Sequence, residues 1–387
     1  MFRYPAFPDP SDDNESSGFD ISSLRLGSPW VAGVGTAFPP KRYTQEEVKT
    51  LLGIQNRTVH KLLDSKHIQT RHLYLPEPPA PGIPIHEETQ EEMIAKFIAG
   101  VRDIGVTAVK RAIEGRFAPT DIQFLVCVTS SGFAVPGVTS IIARELSLSQ
   151  SLYRLDVVGM GCNAGMSALR TAAALAAGGA VGVLLCCEVN SAIYVRDETT
   201  RTGIVNSLFG DGAAAVALSP TSALRAPEQS AGPAGKIVSK VIDFETFTLP
   251  EQWDAMRFDW NQEQKKWSFG LSREIPFVVG DNLKVPVFKL LERNQIERAS
   301  IKHWSIHTGG AAVIDGAKRS LGLSEEDVRH TRSVLRDYGN VSSGSFLVSL
   351  SRLLEEKTIK NGDLGIWAAM GPGATLEACL VRYSIAE

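Results

Sequence analysis

The residue best suited to covalent chemistry is Cys162, which stands between glycines in Gly161-Cys162-Asn163-Ala164-Gly165. Small neighbours let a substrate reach the sulfur. The motif follows a β-branched run and opens an Ala-rich stretch, so the sulfur sits at an expected helix start, where unpaired amide N–H groups and the dipole favour thiolate over thiol. The same position also suits a small buried hydrophobe, the usual state of a free cysteine. Cys127, Cys186 and Cys187 lie inside apolar runs without flanking glycines and read as core. A nucleophilic sulfur needs a proton acceptor, and among the seven histidines His307 differs from the rest. It ends the apolar run IKHWSIH and precedes Thr308-Gly309-Gly310, a turn that leaves the ring room at a strand tip. His60, His67, His72 and His86 fall in a polar stretch that reads as loop-rich, and His330 in the charged segment EEDVRH. Asn340, within Asp337-Tyr338-Gly339-Asn340-Val341-Ser342-Ser343-Gly344-Ser345, offers a neutral amide suited to polarising a carbonyl oxygen. Strand-end histidines and loop asparagines also serve purely structural roles.

The elements that must position these groups alternate in type. FLVCVTSS (124–131), LYRLDVVGM (152–160), GVLLCCEV (182–189) and GAAAVALS (212–219) predict strands buried on both faces, with helices from about Thr139 and Asn163 between them. The stretch 220–235 is rich in Pro, Ser, Gly and Ala without apolar period and reads as a linker. After it come KIVSKVIDF, a polar aromatic stretch to Phe269, a helix from about Pro276 to Leu291, the strand 301–307, and helices near 311–321 and 343–356. The closing GDLGIWAAMGPGATLEACLVRYS predicts two strands around a Gly/Pro turn. The expected organisation is a flexible arm (1–28), a first half (29–219) carrying the cysteine, the linker, and a second half (236–387) carrying His and Asn, as a duplicated α/β unit.

At 387 residues the chain exceeds the usual size of one core. Its 40 Lys and Arg against 43 Asp and Glu leave a net charge of −3, which gives no general field for nucleic acid or an anionic membrane. Five irregularly spaced cysteines with no CxxC pair argue against a disulfide scaffold or a structural metal. The start lacks the apolar core of a signal peptide, and no run reaches membrane-spanning length, so a reducing, cytoplasmic setting is expected.

Taken together, GCNAG, HTGG and GNVSSGS in this order resemble the type III polyketide synthases, the chalcone synthase-like branch of the thiolase superfamily, over roughly residues 30 to 385. The resemblance implies an α/β thiolase fold in a duplicated five-layer αβαβα architecture. It implies decarboxylative condensation by a Cys–His–Asn triad, which carries over to Cys162, His307 and Asn340. SLFGDGAAA and WSFGLSREIP are similar to the loops bearing the family's two gating phenylalanines, here Phe209 and Phe269. GFAVPG is similar to the loop that crosses the dimer interface, making Val135 a cavity wall for a neighbouring subunit. The family's GFGPG loop begins with Ala369 here and leaves Gly371, Pro372 and Gly373 to shape the cavity. Its tunnel cations align only with Thr58, Lys61 and Ser65, so Arg57, Lys61 and Lys66 are the candidate CoA contacts.

Within the family, VVGMGCNAG, DAMRFDW, IPFVVG, DVRHT, VLRDYGNVSSGSF and MGPG are similar to the subgroup that makes 3,5-dihydroxyphenylacetyl-CoA for glycopeptide-antibiotic biosynthesis. This implies four malonyl-CoA molecules as starter and extenders, and cyclisation of the resulting tetraketide. It implies a homodimer that needs no cofactor, the CoA thioesters being substrates, no acyl carrier protein and no metal, with an enoyl-CoA-hydratase-like helper assisting dehydration. The alternatives are another type III product (phloroglucinol, tetrahydroxynaphthalene, an alkylresorcinol or an alkylpyrone) or a β-ketoacyl synthase III-like condensing enzyme.

Overall fold

A computed structural model describes residues 27–220, 236–272 and 274–386. The expected arm, apart from residues 27 and 28, and the expected linker, apart from residue 220, lie outside the described residues. In chain order the first elements are β1 (Trp30–Ala37), β2 (Arg42–Thr44), α1 (Gln45–Leu52), α2 (Arg57–Leu63), β3 (Thr70–His72), α3 (Gln90–Gly100) and α4 (Val106–Ile113). Next come β4 (Phe124–Thr129), α5 (Val138–Glu145), β5 (Tyr153–Val158), α6 (Ala164–Ala177), β6 (Gly182–Glu188), α7 (Thr200–Leu208) and β7 (Gly212–Ser219). The second part holds β8 (Lys236–Thr248), β9 (Met256–Asn261), β10 (Lys266–Leu271), α8 (Ile275–Asn282), α9 (Lys284–Arg293) and β11 (Ile301–Ile306). It closes with α10 (Ala311–Leu321), α11 (Arg329–Tyr338), α12 (Ser345–Glu356), β12 (Leu364–Gly371) and β13 (Thr375–Ala386).

The strand order β4-β6-β7-β1 recurs as β11-β12-β13-β8. In both sets the first pair is parallel and the next two are antiparallel. The duplication suggested by the alternation is therefore structural, although the two sets share no evident sequence repeat. They join edge to edge where Trp30 and Val31 of β1 face Lys240 and Ser239 of β8. Helices α6 and α12 lie between them, each packing on strands of both sets, while α4 covers the first set and α9 the second. This is the five-layer αβαβα thiolase arrangement. A helix sandwiched between two sheets buries most of its surface, and α6 accordingly buries Ala164, Gly165, Met166, Ala168, Leu169, Ala172, Ala173 and Ala176.

Several expectations need correction. The polar stretch is loop-rich where it holds His67 and His86, but His60 lies on α2 and His72 on β3, and the flanking helices α1 and α3 start on capping boxes, Thr44 with Glu47 and Thr89 with Glu92, inside polar sequence that masks them. The aromatic stretch before Phe269 is a hairpin, β9–β10, in which Phe258 faces Phe269 across the strands. The helix expected from Pro276 to Leu291 is two, α8 and α9. Pro286 has no N–H for the carbonyl of Asn282, and the first helix ends there. The charged segment around His330 forms an amphipathic helix, α11, that buries His330, Thr331, Val334 and Leu335. β5, expected to be buried on both faces, is an edge strand with Tyr153 and Val158 exposed. Cys162 occupies a single 3₁₀ turn, Gly161–Asn163, and the α-helix proper begins at Ala164.

The two halves meet backbone to backbone near Asn340. Residues Phe209 and Asn340 form an isolated parallel bridge, in which Asn340 N–H donates to the Leu208 carbonyl at 2.8 Å and Gly210 N–H to the Asn340 carbonyl at 3.0 Å. Gly339 has φ 72° and ψ −155°, a region open essentially to glycine alone. A Cβ there would stand 2.6 Å from the Leu208 carbonyl oxygen. Gly339→Ala should therefore lower unfolding stability by at least about 2 kcal/mol, measured by urea denaturation against Gly322→Ala, whose added Cβ meets nothing within 4 Å.

Candidate active site

Two chambers meet at Cys162, Phe209 and Met256, which line both. The smaller, of about 370 Å³, also takes His307, Asn340, Met370, Gly371 and Leu62 into its wall. The larger, of about 540 Å³, is bounded by Ser130, Ser342, Phe258, Phe269, Pro372 and Gly373 among others. Each half contributes by the end of a strand. β5 leads into the turn holding Cys162, β11 runs out at His307, and β12 ends on the Gly371-Pro372-Gly373 turn. The turn of Cys162 packs on the turn of Pro372 so closely that a Cβ at Gly161, which has φ 73°, would lie 2.4 Å from the proline ring. Phe209 and Phe269 stand edge to face with centroids 6.0 Å apart, and Phe258 packs on Phe269 at 4.9 Å.

The electrostatics of the site follow from burial. Burial pushes the Cys162 thiol up to about 12, opposed by a hydrogen bond to Ser342 Oγ at 3.4 Å and reinforced by the charge of Glu188. The lowering expected from a helix start is outweighed. Burial likewise pushes the His307 imidazolium down to about 4, partly countered by the Ser342 backbone, and His307 Nδ1 has no hydrogen-bond partner among the described residues. Both shifts favour the neutral pair, thiol and imidazole. A proton passed from sulfur to ring would create two opposite charges in one low-dielectric chamber, where their attraction offsets the desolvation of each. Asn340 is oriented by its own carbonyl oxygen, which accepts from Ser342 N–H at 2.8 Å and Ser345 Oγ at 3.3 Å. With Oδ1 so engaged, the N–H₂ is the end left for the chamber.

A buried polar chain not singled out from the sequence lies behind the sulfur. Ser342 Oγ, besides touching Cys162, is 2.7 Å from Ser130 Oγ, which donates to Glu188 Oε1 at 3.0 Å. Glu188 also accepts from Ser130 N–H at 2.9 Å and from the Ser343 hydroxyl. Burial raises its carboxyl above the ordinary range. The available signal was a lone acid ending an apolar run, LLCCE, and the serines of SSGS. Ser342 itself holds φ 49°, uncommon for a residue with a Cβ.

The structure brings Cys162, His307, Asn340, Phe209, Phe269, Gly371, Pro372 and Gly373 to these chambers. Val135 lines neither and is 85% exposed on the loop before α5. Arg57 and Lys61 on α2, and Lys66 after it, are exposed; from that helix Leu62 reaches the smaller chamber wall. Among the described residues no cluster of His, Cys, Asp and Glu could hold a metal ion, and no helix is long and apolar enough to cross a membrane.

Comparison with known proteins places this geometry. Residues 22–221 match the N-terminal domain of chalcone and stilbene synthases, and residues 247–385 match the C-terminal domain. The chain is 42% identical to a 3,5-dihydroxyphenylacetyl-CoA synthase of Streptomyces toyocaensis over 92% of its own length and 90% of the relative's. It is also 42% identical to one of Amycolatopsis balhimycina, over 91% of this chain and 92% of the other. Among solved structures, the C-terminal type III polyketide synthase domain of Steely1 from Dictyostelium superposes with a TM-score of 0.81 at 27% identity, covering 92% of this chain and 99% of that one. With both family domains matched in order and the cysteine, histidine and asparagine gathered at one cavity, the chain belongs to the chalcone and stilbene synthases, the type III polyketide synthases.

Proposed function

We propose that the chain condenses four malonyl-CoA molecules, one as starter and three as extenders, and cyclises the tetraketide to 3,5-dihydroxyphenylacetyl-CoA. The observation that carries the reading is that a buried cysteine and two neutral hydrogen-bond donors, His307 and Asn340, line one chamber. The relatives named above support the product. The chemical problem is to make an ester enolate without a strong base. Malonyl-CoA stores that carbanion as a carboxylate, and loss of CO₂ delivers it if the thioester oxygen is stabilised as charge arrives. The N–H of neutral His307 and the N–H₂ of Asn340 form that site, each donor worth about 3 to 4 kcal/mol of barrier. Cys162, its proton passed to His307, attacks the thioester carbonyl; the C–S bond to CoA breaks, the leaving CoA thiolate takes the proton back from His307, and the starter acyl group, like each extended chain after it, rests on sulfur. The enolate carbon attacks the acyl-cysteine carbonyl, the C–S bond breaks, and the product thioester returns to sulfur for the next round. Phe209 and Phe269 keep the chamber apolar and poor in water.

Four two-carbon units give eight carbons. Bonding C8 to C3 closes a six-membered ring that leaves C1 and C2 outside it, and loss of water at C3 with enolisation at C5 and C7 yields a 3,5-dihydroxyphenyl ring bearing CH₂–CO–S–CoA. The thioester survives closure. Retention of the starter's carboxylate until that step supplies the C8 nucleophile, because its loss generates the carbanion in place. The same reading places CoA along α2, with Arg57, Lys61 and Lys66 flanking the chamber that Leu62 lines. It makes the protein a cytoplasmic two-fold dimer through the face bearing Phe133, Val135, Tyr153, Val158 and Met160, all exposed apolar side chains of a single chain. Val135 then reaches the neighbour's cavity. An enoyl-CoA-hydratase-like helper would speed the dehydration.

Incubation with malonyl-CoA alone should give 3,5-dihydroxyphenylacetate or its CoA ester by mass spectrometry. An obligatory aromatic or long-chain starter, or a product without the two-carbon arm, would overturn the reading. Cys162→Ala should abolish chain extension yet keep slow release of CO₂ from malonyl-CoA, whereas Asn340→Ala should cut that release by about 10² to 10³; the check is ¹⁴CO₂ release beside product analysis. In the iodoacetamide alkylation of Cys162, His307→Ala should move the pH midpoint up by a unit or more. Removing the proton acceptor leaves only the desolvated thiol, whose ionisation burial opposes.

A further inference from the structure

We infer that Arg71 is a positioning residue that holds the loop of Phe209 against Asn340 and thereby aims the Asn340 amide at the reacting thioester. The inference rests on the decarboxylative reading of the site. Arg71 lies in the middle of β3 and is fully buried. Among the described residues no carboxylate hydrogen-bonds to its guanidinium. Nη1 shares its two N–H groups among the carbonyls of Asn206 at 2.7 Å and Phe209 at 2.8 Å and Tyr194 Oη at 2.7 Å, while Nε donates to Gln45 Oε1 at 3.0 Å and Nη2 has no hydrogen-bond partner among the described residues. Tyr194 Oη donates in turn to the same Phe209 carbonyl at 2.6 Å, and Gln45 holds the Ser207 carbonyl at 2.9 Å. Three carbonyls of the segment that ends in Phe209 are thus fixed from one centre.

The rest of β3 and its flanks tie that centre to the other half. Gln69 N–H donates to the Arg336 carbonyl at 2.7 Å, and Thr70 Oγ1 to the Asp337 carbonyl at 2.8 Å. On the first-half side, Asp211 N–H donates to the His72 carbonyl at 2.9 Å. Residues 69–72 therefore form a strap across the joint at which Phe209 and Asn340 pair. The arrangement leaves no slack, since a Cβ on Gly339 would stand 2.9 Å from Arg71 Cδ. A buried charge is a costly way to fill space, and apolar replacements of buried ions are often neutral or stabilising. What a guanidinium adds is a rigid plane in which Nε, held by Gln45, fixes the direction of the Nη1 that meets both carbonyls, a constraint a lysine ammonium does not reproduce. Displacement of a catalytic group by about 1 Å can cost about 10²-fold in rate, so a clamp one bond from the Asn340 bridge bears directly on turnover.

The test compares wild type with Arg71→Lys, Tyr194→Phe and Thr70→Val in full-length protein. It reads kcat and KM for CO₂ release from malonyl-CoA, the rate of Cys162 alkylation, folded fraction by circular dichroism, and amide hydrogen exchange of peptides covering Gly210 and Asn340. Arg71→Lys should lower kcat by about 10- to 100-fold with KM within about threefold. Tyr194→Phe and Thr70→Val should each lower kcat by about three- to tenfold in fully folded protein. Exchange at the Phe209–Asn340 joint should quicken in all three, while Cys162, on the opposite wall, is alkylated at the wild-type rate. The inference is overturned if kcat stays within twofold in Tyr194→Phe and Thr70→Val. It is equally overturned if kcat and alkylation fall together in proportion to folded fraction. Should Arg71→Lys fail to fold, the other two variants decide. If wild type releases no CO₂ from malonyl-CoA, the functional reading fails instead, and the exchange data alone judge the clamp.

Discussion

The site depends on a contact between two backbones. Cys162 and Phe209 belong to the first strand set and its loops, His307, Asn340 and Phe269 to the second, so no reacting constellation exists until the halves close. Closure happens where side chains are absent: Gly339 and Gly210 against the opposing chain near Asn340, and Gly161 against Pro372 beside the cysteine. An added Cβ at any of these would pry the halves apart. The small-residue helix α6 is the same constraint expressed in the core, because a bulkier helix between the sheets would separate the walls that carry the sulfur and the amide.

Burial at this seam then sets the chemistry. Among the described residues three acids are buried, Glu188, Asp211 and Glu377, each held by hydroxyl, amide or backbone donors, and burial raises the pKa of each. Asp211 accepts from Ser191 N–H and Oγ and from Tyr74 N–H. Glu377 accepts from Asn163 Nδ2 and Ser167 Oγ, and so ties the residue after Cys162 to β13. None of the three lines a chamber. What faces the chambers near the sulfur is neutral: a thiol, an imidazole held neutral by desolvation, and an amide. That is the set of groups a reaction needs when charge is delivered by the substrate's carboxylate rather than drawn out by a base.

The larger chamber is closed by a hairpin rather than by the core. Phe258 and Phe269 face each other across β9 and β10, and the hairpin is anchored by Lys266, which is buried against Glu87, and by Arg201 from α7, paired with Asp259 at 2.5 Å. Arg257 on the same hairpin is the one charged residue in the described chamber walls, and it is already engaged by Asp254 and Asp259.

The motifs around Cys162, His307 and Asn340 were legible from the chain alone because their chemistry is local: glycines beside a sulfur, a ring at the end of an apolar run, an amide in a small-residue loop. The paired strand runs were legible for the same reason, since burial on both faces leaves a continuous apolar signature that needs no partner to be recognised. What depends on a partner was not. The polar stretch from 45 to 72 hid α1, α2 and β3, whose helix caps and charged faces resemble loop sequence until they pack. Arg71 carried no local mark, and Ser342 and Glu188 only a faint one, for a serine among serines, an acid ending a strand and an arginine in a polar run gain their roles only from what lies across the seam. The ionisation of Cys162 went the same way. Sequence showed a helix start, which favours thiolate; tertiary burial reversed the balance, because the cost of desolvating a charge exceeds what one turn of helix dipole returns.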